Sequence, residues 1–475
     1  MSGAYSAGEL VRILSGETLA ATGGPGAAGG PAACIDSRLL REGEIFFALA
    51  GERTDGHRFL EGAFREGASL AVVRKDRIGE LPGGLPLQRI IAVDDPAGAL
   101  LALARHHRRR YDPLLIAVTG SNGKTTTKDL LAAIFAAHGP TLATKGNYNT
   151  FCGVALTLLG LGPEHRFAVI ELGISAPGEM DVLGALAAPG GAVFTNAHGA
   201  HLEGLGTVEK VADEKTVLID HVAPGGRIWV NGDDAALMNA ARRRGAPFRT
   251  YGLGGSNEIR PARRDPWNLR GVEVEIEGAG SFRASLWGEH HLANLVAALA
   301  VALGEGVPPD VIARGLATFE PAPGRFRPER VGGVLLVDDT YNANLASTLG
   351  AVRFLEKAAI EGRRALLFGD MLELGPREEE DHRAVGRAVA EAMLDRLWLA
   401  GERTRWTAEE AVSRGLPRDR IFTAGADRTG LGGRIAGDLA PGDCLVEKGS
   451  RGMKMEEILD DVRSRLAGAP TGGGV

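Results

Sequence analysis

The chain has 475 residues, with 54 Lys and Arg against 60 Asp and Glu, a net charge of -6 and 44% hydrophobic residues. That length suggests about three domains at roughly 100–200 residues each, and the mild acidity excludes broad, phosphate-driven nucleic-acid binding while leaving room for one local basic pocket. No apolar run approaches the ~20 residues that span a bilayer, and the N-terminus lacks the basic-then-apolar pattern of a secretory signal, so the expectation is a soluble, cytoplasmic protein with no membrane insertion.

In chain order, apolar β-like runs fall at 44–49 and 70–73, and an Ala/Leu-rich helical stretch covers 96–104. The basic cluster 105–110 that ends it reads as cations facing solvent at a helix C-terminus. Tyr111, Asp112 and Pro113 then open a new unit, placing a first boundary at 110. Cys34, Cys152 and Cys444 are far apart and lack metal-ligand spacing, as expected for small buried residues in a reducing compartment.

Residues 114–127 read LLIAVTGSNGKTTT, an apolar strand running into a glycine-containing turn. A helix follows, with Leu130, Leu131, Ile134 and Phe135 at helical spacing. Gly120 and Gly123 let backbone N–H groups face phosphate oxygens, and the helix N-terminus adds its positive dipole. Lys124 can reach β- and γ-phosphates, and the Thr125 hydroxyl can ligate Mg²⁺. Val118 stands where the strict P-loop pattern has Gly, so the match is to a shortened Gly-x-x-Gly-Lys-Thr form. The loop alone does not separate a ligase from a kinase, a GTPase or a nucleotide-sensing module.

Further runs fall at 168–172, 192–195 and 227–230. Glu171 lies within the first of them, before Leu172 and Gly173, and a carboxylate inside an apolar run is costly unless it meets a cation, which points to metal ligation at a strand end. His198 and His201 follow the second run, and a strand-end His is more often structural. Lys215 shares a helical pattern with Val211, Val217 and Leu218, and spacing alone makes it a solvated lysine. Pro321–Gly324 marks a second boundary, and runs at 334–337, 365–368 and 444–446 complete the chain. Unbroken apolar runs suit parallel strands covered on both faces, so the class is α/β. The units expected are 1–110, 111–323 and 324–475.

Several blocks together resemble the Mur ligase family over nearly the whole chain. They include Ile35–Asp36–Ser37–Arg38, the loop 119–125, Asn147–Tyr148–Asn149, Glu171–Leu172–Gly173, and His201 with Lys215. They continue with Gly288, His290 and Asn294, then Gly324–Arg325, Asp338 to Asn344, the block 369–375, and Lys448 to Arg451. The blocks at 338–344 and 369–375 are most specific to the dipeptide-adding branch. Thr150, Phe151, Cys152, His291 and Leu345 depart from the pattern.

The resemblance implies a small N-terminal α/β domain binding the UDP part of the substrate, a central P-loop ATPase-type domain with a mostly parallel sheet, and a C-terminal Rossmann-like domain. It implies ligation of D-alanyl-D-alanine to a UDP-N-acetylmuramoyl-tripeptide through an acyl phosphate, by a monomer in the cytoplasm. ATP would be bound by Gly120, Ser121, Asn122, Gly123, Lys124, Thr125 and Thr126, with Asn294, Arg325, Asp339 and Tyr341. Substrate would be held by Ser37, Arg38, Asn147, Asn149, Asn342 and Asn344, the last two with turn or helix-cap roles as well. Two Mg²⁺ ions would be served by Thr125 and by Glu171, His201 and Lys215. Lys215, carrying a carbamate, would supply the hard oxygen ligand that Mg²⁺ prefers, against its spacing-based reading. The rivals are another amino-acid-adding Mur ligase, a folylpolyglutamate synthase, and a non-catalytic ATP-binding module. About 110 residues precede the phosphate loop and no Asp-Asn-Pro-Arg signature is present, which weighs against the first two.

Overall fold

The computed structural model describes residues 5–19, 32–51, 54–198, 205–265 and 270–468. Four sheets follow one another along the chain. The first has five strands, in spatial order Glu17–Thr18, Ile90–Val93, Leu70–Arg74, Ile45–Phe47 and Ala33–Cys34. All its pairings are parallel except that of the edge strand Glu17–Thr18.

The second sheet has six strands, in order Arg249–Tyr251, Arg227–Asn231, Gly191–Phe194, Leu114–Thr119, Phe167–Glu171 and Thr141–Ala143, every pairing parallel. Its central strands are buried on both faces, because helices cover each side, and their side chains divide between two hydrophobic clusters. The fourth sheet, also six-stranded, runs Arg327–Val331, Val334–Asp339, Cys444–Lys448, Arg364–Gly369, Arg396–Ala400 and Ile421–Gly425, with one antiparallel edge pairing. The α/β expectation holds, and each of the nine apolar runs is a strand, within a residue or two at its ends.

Sequence reading missed the third sheet, an antiparallel trio of Pro261–Asp265, Val272–Ile276 and Gly280–Ala284. Its middle strand alternates buried Val272, Val274 and Ile276 with half-buried Glu273 and Glu275, the period-two signature of a sheet with one wet face.

The basic cluster faces solvent at Arg105, His106, Arg109 and Arg110, as expected, and needs correction at the two residues between them. His107 and Arg108 are buried rather than solvated. Arg108 donates to the carbonyls of Ala187 (3.0 Å) and Ala188 (3.0 Å), so it caps the end of another helix, Glu179–Ala187. His107 joins Tyr5 (2.8 Å) to the Leu161 carbonyl (2.9 Å). The helix Pro96–Arg108 packs between the first two sheets, and this placement buries its last turn. Cys34 and Cys444 are buried and Cys152 half-buried, all as free thiols. Among the described residues no helix is long and apolar enough to cross a membrane.

One buried carboxylate in the fourth sheet has a measurable consequence. Both Glu447 side-chain oxygens lack a hydrogen-bond partner, and burial drives the carboxyl far above its usual range. Asp338, Asp460 and Glu456 push the same way, against Arg463. A group neutral when folded and ionised when unfolded stabilises the fold fully below about pH 4.3. That contribution fades as pH rises towards the folded value, by up to about 1.4 kcal/mol per unit. Glu447→Gln keeps the shape without titrating. Its melting temperature is expected to exceed that of the parent at pH 8 and to match it near pH 4; equal melting at both would refute the neutral-acid assignment.

Candidate active site

The strand Leu114–Thr119 ends against two neighbours, Phe167–Glu171 and Gly191–Phe194, and the phosphate loop leaves from this point. Two glycines permit its shape. Gly120 has φ +150° and Gly123 φ +79°, and a Cβ would overlap Thr195 at the first and Asn294 at the second. Thr195 Oγ1 donates to the Asn122 carbonyl (2.6 Å), and the Asn122 N–H donates to Asn196 Oδ1 (2.8 Å), fixing the loop from the next strand end. The helix Lys124–Ala136 starts directly from Gly123.

Lys124 lies across this turn, donating to the carbonyls of Gly120 (2.8 Å) and Ser121 (3.2 Å). Burial lowers its pKa, Arg325 nearby acts the same way, and Glu171 opposes both. Glu171 is 1% exposed. Its Oε1 accepts from Asn149 Nδ2 at 2.8 Å, while its Oε2 is buried without a partner.

A cavity of about 440 Å³ opens over the loop. Its floor is Ser121 to Thr126, with Asn149, Glu171 and Asn294, and its far wall comes from the loops that follow the strands of the fourth sheet. Arg325 crosses between the two sides, donating to Thr125 Oγ1 (3.3 Å) with its guanidinium 3.6 Å above the Tyr341 ring. Asn344 Nδ2 donates to Asn122 Oδ1 at 2.7 Å. The same Asn344 caps the helix Leu345–Lys357 through Ser347, so its cap and site roles coincide. Asn342 lines the cavity, with its Oδ1 taken by the N–H groups of Ala343 (2.9 Å) and Arg451 (3.4 Å). Asp339 is bound to Lys448 at 2.6 Å.

The structure thus brings most of the expected residues together at one cleft, including both Asn294 and Tyr341. Gly120 forms the base of the loop just below it. Lys215 does not line the cleft and is not solvated as spacing suggests: it is 2% exposed on the helix Val208–Thr216. That helix packs against its neighbours through Val211 and Ala212, and burial together with the charge of Lys124 drives the Lys215 pKa well down. Asn147 is exposed outside the cleft. Ser37 and Arg38 lie on the N-terminal sheet unit, Arg38 exposed and paired with Asp36 at 2.6 Å, also outside the cleft. His201 lies outside the described residues.

Sequence reasoning left out His291, Lys448, Arg451 and Glu373 as site residues, all of which line the cavity. Lys448 ends a strand, and Arg451 and Glu373 lie in loops after parallel strands, where α/β folds bind ligands, and that rule would have found them. His291 accepts from Asn294 Nδ2 at 3.4 Å, and its pKa is driven well down by burial, so a neutral ring stands where the family pattern has Asn.

Three family models cover the chain in order: "Mur ligase family, catalytic domain" at 33–108, "Mur ligase middle domain" at 118–302 and "Mur ligase, glutamate ligase domain" at 324–451. The chain belongs to the Mur ligase family. This Mur ligase is 34% identical over 429 residues to the UDP-N-acetylmuramoyl-tripeptide–D-alanyl-D-alanine ligase of Bacillus subtilis (strain 168), spanning 90% of this chain and 92% of the relative. Its fold is similar to that of MurF from Acinetobacter baumannii, with a TM-score of 0.82, 28% identity, and coverage of 97% and 99% of the two chains. It is also similar to the MurF ligase of Thermotoga maritima in complex with ADP, at TM-score 0.78 and 28% identity over 92% of this chain and 97% of that one.

Proposed function

We propose that this Mur ligase couples ATP cleavage to amide formation between a UDP-N-acetylmuramoyl-tripeptide and D-alanyl-D-alanine, a step of peptidoglycan precursor synthesis. The supporting observation is the single cleft in which the glycine turn of Lys124 faces Arg325, Tyr341 and the loops of the fourth sheet. The likeness to D-alanyl-D-alanine ligases over nine tenths of the chain supports the choice of acceptor. The units 1–110, 111–323 and 324–475 would then carry the UDP moiety, ATP and the acceptor respectively. In that arrangement Ser37 and Arg38 contact the uridine nucleotide away from the ATP cleft, and Asn147 approaches the substrate from the cleft rim.

In the first step the terminal carboxylate of the tripeptide attacks the γ-phosphorus, forming an acyl phosphate and releasing ADP. In the second the dipeptide amine attacks the acyl carbon, phosphate leaves and the amine gives up a proton. Lys124 and Arg325 lower the repulsion between carboxylate and phosphate as they approach. The loop N–H groups hold the phosphates, and Tyr341 with Asn294 flanks the nucleotide. The acyl phosphate must be kept from water, which the links Arg325–Thr125 and Asn344–Asn122 serve by tying the two walls together.

The donor set fits magnesium. The unpartnered Oε2 of Glu171 is a buried hard oxygen suited to a cation, and Thr125, the residue after Lys124, offers a hydroxyl. Among the described residues no three His, Cys, Asp or Glu side chains converge on a metal position, but the proposed set draws on a Thr hydroxyl and a carbamylated Lys215, with His201 as its remaining member. Two bound Mg²⁺ ions would supply neutralisation of charge on the phosphates. Burial and the charge of Lys124 favour the neutral amine of Lys215, the form that takes up CO₂.

Phosphate release measured with each candidate acceptor tests the reading. Turnover is expected only when both the UDP-linked tripeptide and D-alanyl-D-alanine are present. ATP binding without acceptor-dependent turnover would overturn it in favour of a binding module.

A further inference from the structure

The chain passes from the second and third sheets to the fourth through one short segment. Phe319 is the last buried residue of the hydrophobic cluster on one face of the second sheet, and Phe326 is the first of the cluster on one face of the fourth. Between them Arg325 stands flanked by two residues of left-handed backbone, Gly324 at φ +73° and Phe326 at φ +57°. Glycine takes that conformation freely, whereas a phenylalanine is crowded by it. Non-glycine residues keep such a shape only where their surroundings fix them, and they gather at functional sites.

Both neighbours of Arg325 are fixed. On one side Asp338 Oδ2 accepts from the Gly324 N–H at 2.8 Å, and the Gly324 carbonyl accepts from the Tyr341 N–H at 3.1 Å. Asp338 Oδ1 takes the Thr340 N–H (3.2 Å) and hydroxyl (2.6 Å). One carboxylate therefore orients the residue before Arg325 and also the turn that carries Tyr341, on which the guanidinium stacks.

On the other side the Phe326 ring is 1% exposed. It meets His290 at 5.0 Å and His291 at 5.7 Å, both from the helix Glu289–Gly304, and Phe354 at 5.0 Å, from the helix Leu345–Lys357. The first helix packs in the cluster of the second sheet and the other in that of the fourth, so Phe326 is wedged between the two sides of the cleft. Burial lowers both imidazoles, His290 to about 3, and the ring rests on neutral faces. Neither Phe326 nor Asp338 lines the cavity.

We propose that Phe326 and Asp338 are positioning residues for the reaction, gripping the backbone on either side of Arg325 so that its guanidinium is in place when carboxylate and phosphate meet. Neither touches the reacting atoms, and both act through Arg325. A long, rotamer-rich side chain delivers its charge reliably only from a fixed base. This assignment rests on the ligase reading above and specifies what holds one of its cations over the phosphates.

The test is a double-mutant cycle in the full-length enzyme, read by phosphate release with the UDP-linked tripeptide and D-alanyl-D-alanine. Phe326→Leu keeps an apolar side chain without the ring contacts, and Asp338→Ala removes the acceptor of the Gly324 N–H. Each is expected to lower kcat by about 10- to 100-fold, the scale of an ångström of misplacement, with the KM of either substrate unchanged. Asp338→Asn, which keeps an oxygen for that N–H, should recover most of the loss. In an Arg325→Ala background Phe326→Leu and Asp338→Ala should each cost less than about 2-fold. A parental kcat in both variants, or a loss as large without Arg325 as with it, would overturn the positioning role, whatever happens to the melting temperature. The variants act on opposite sides of Arg325, so if one fails to fold the other decides. The same cycle read as affinity for β,γ-imido-ATP needs no acceptor, and there each variant should weaken binding by about 10-fold only where Arg325 is present. Absence of turnover in the parent enzyme would overturn the ligase reading instead, and the nucleotide cycle would still decide the role of Phe326 and Asp338.

Discussion

Replacing Lys124 by alanine is expected to lower turnover by at least about 10²–10³-fold, the usual loss when one preorganised charge is removed from a developing anion. The argument is electrostatic. Lys124 is enclosed by its own loop, with its Nζ 2.8 Å from the Gly120 carbonyl. In a half-buried setting at the base of a cleft a positive charge acts on phosphate oxygens with less screening than in water. It is also costly to keep there, since burial and Arg325 both lower its pKa. Its removal should therefore cost no stability, and a melting temperature equal to or above that of the parent, alongside the lost phosphate release, separates a chemical role from a structural one. A variant that turns over at the parental rate would remove Lys124 from the mechanism.

Lys215→Ala is the second large effect. Turnover is expected to be nearly abolished and to recover in part when short-chain carboxylic acids are added. The physical basis is placement: Lys215 is 2% exposed, and burial together with the charge of Lys124 shifts its amine well towards the neutral form. A neutral amine reacts with CO₂ to form a carbamate and release a proton, turning a repelling cation into an oxygen donor suited to magnesium. Added carboxylate replaces that donor in the space the side chain vacates. The check is a phosphate-release assay with and without the small acid, and with bicarbonate varied for the parent. Full activity in the variant, or a loss that no carboxylate relieves, would defeat the carbamate assignment.

Lys215 also shows how far local spacing reaches. Its helix carries Glu209, Lys210, Asp213 and Glu214, so nothing in the local pattern marks one lysine among its charged neighbours as interior. Only the ordered set of blocks that resembles the Mur ligases singled it out. Within the basic cluster before Tyr111, Arg108 misled for the same reason. A run of cations at a helix end is soluble by composition, yet Arg108 meets carbonyl acceptors about eighty positions further along the chain.

The sequence by itself determined the nine apolar strands, the phosphate turn and the α/β class. An apolar run, a glycine pair and a helix pattern are short-range features whose physics acts within a few residues. The tertiary structure alone decided which strand ends share a cleft. It placed Arg325 over Thr125 and Asn344 against Asn122, contacts between residues 200 and 222 positions apart. It also set Glu373 and Arg451 on one wall. Those pairings follow from strand order and register, which hydrogen bonding between distant segments fixes and which no local window of sequence contains.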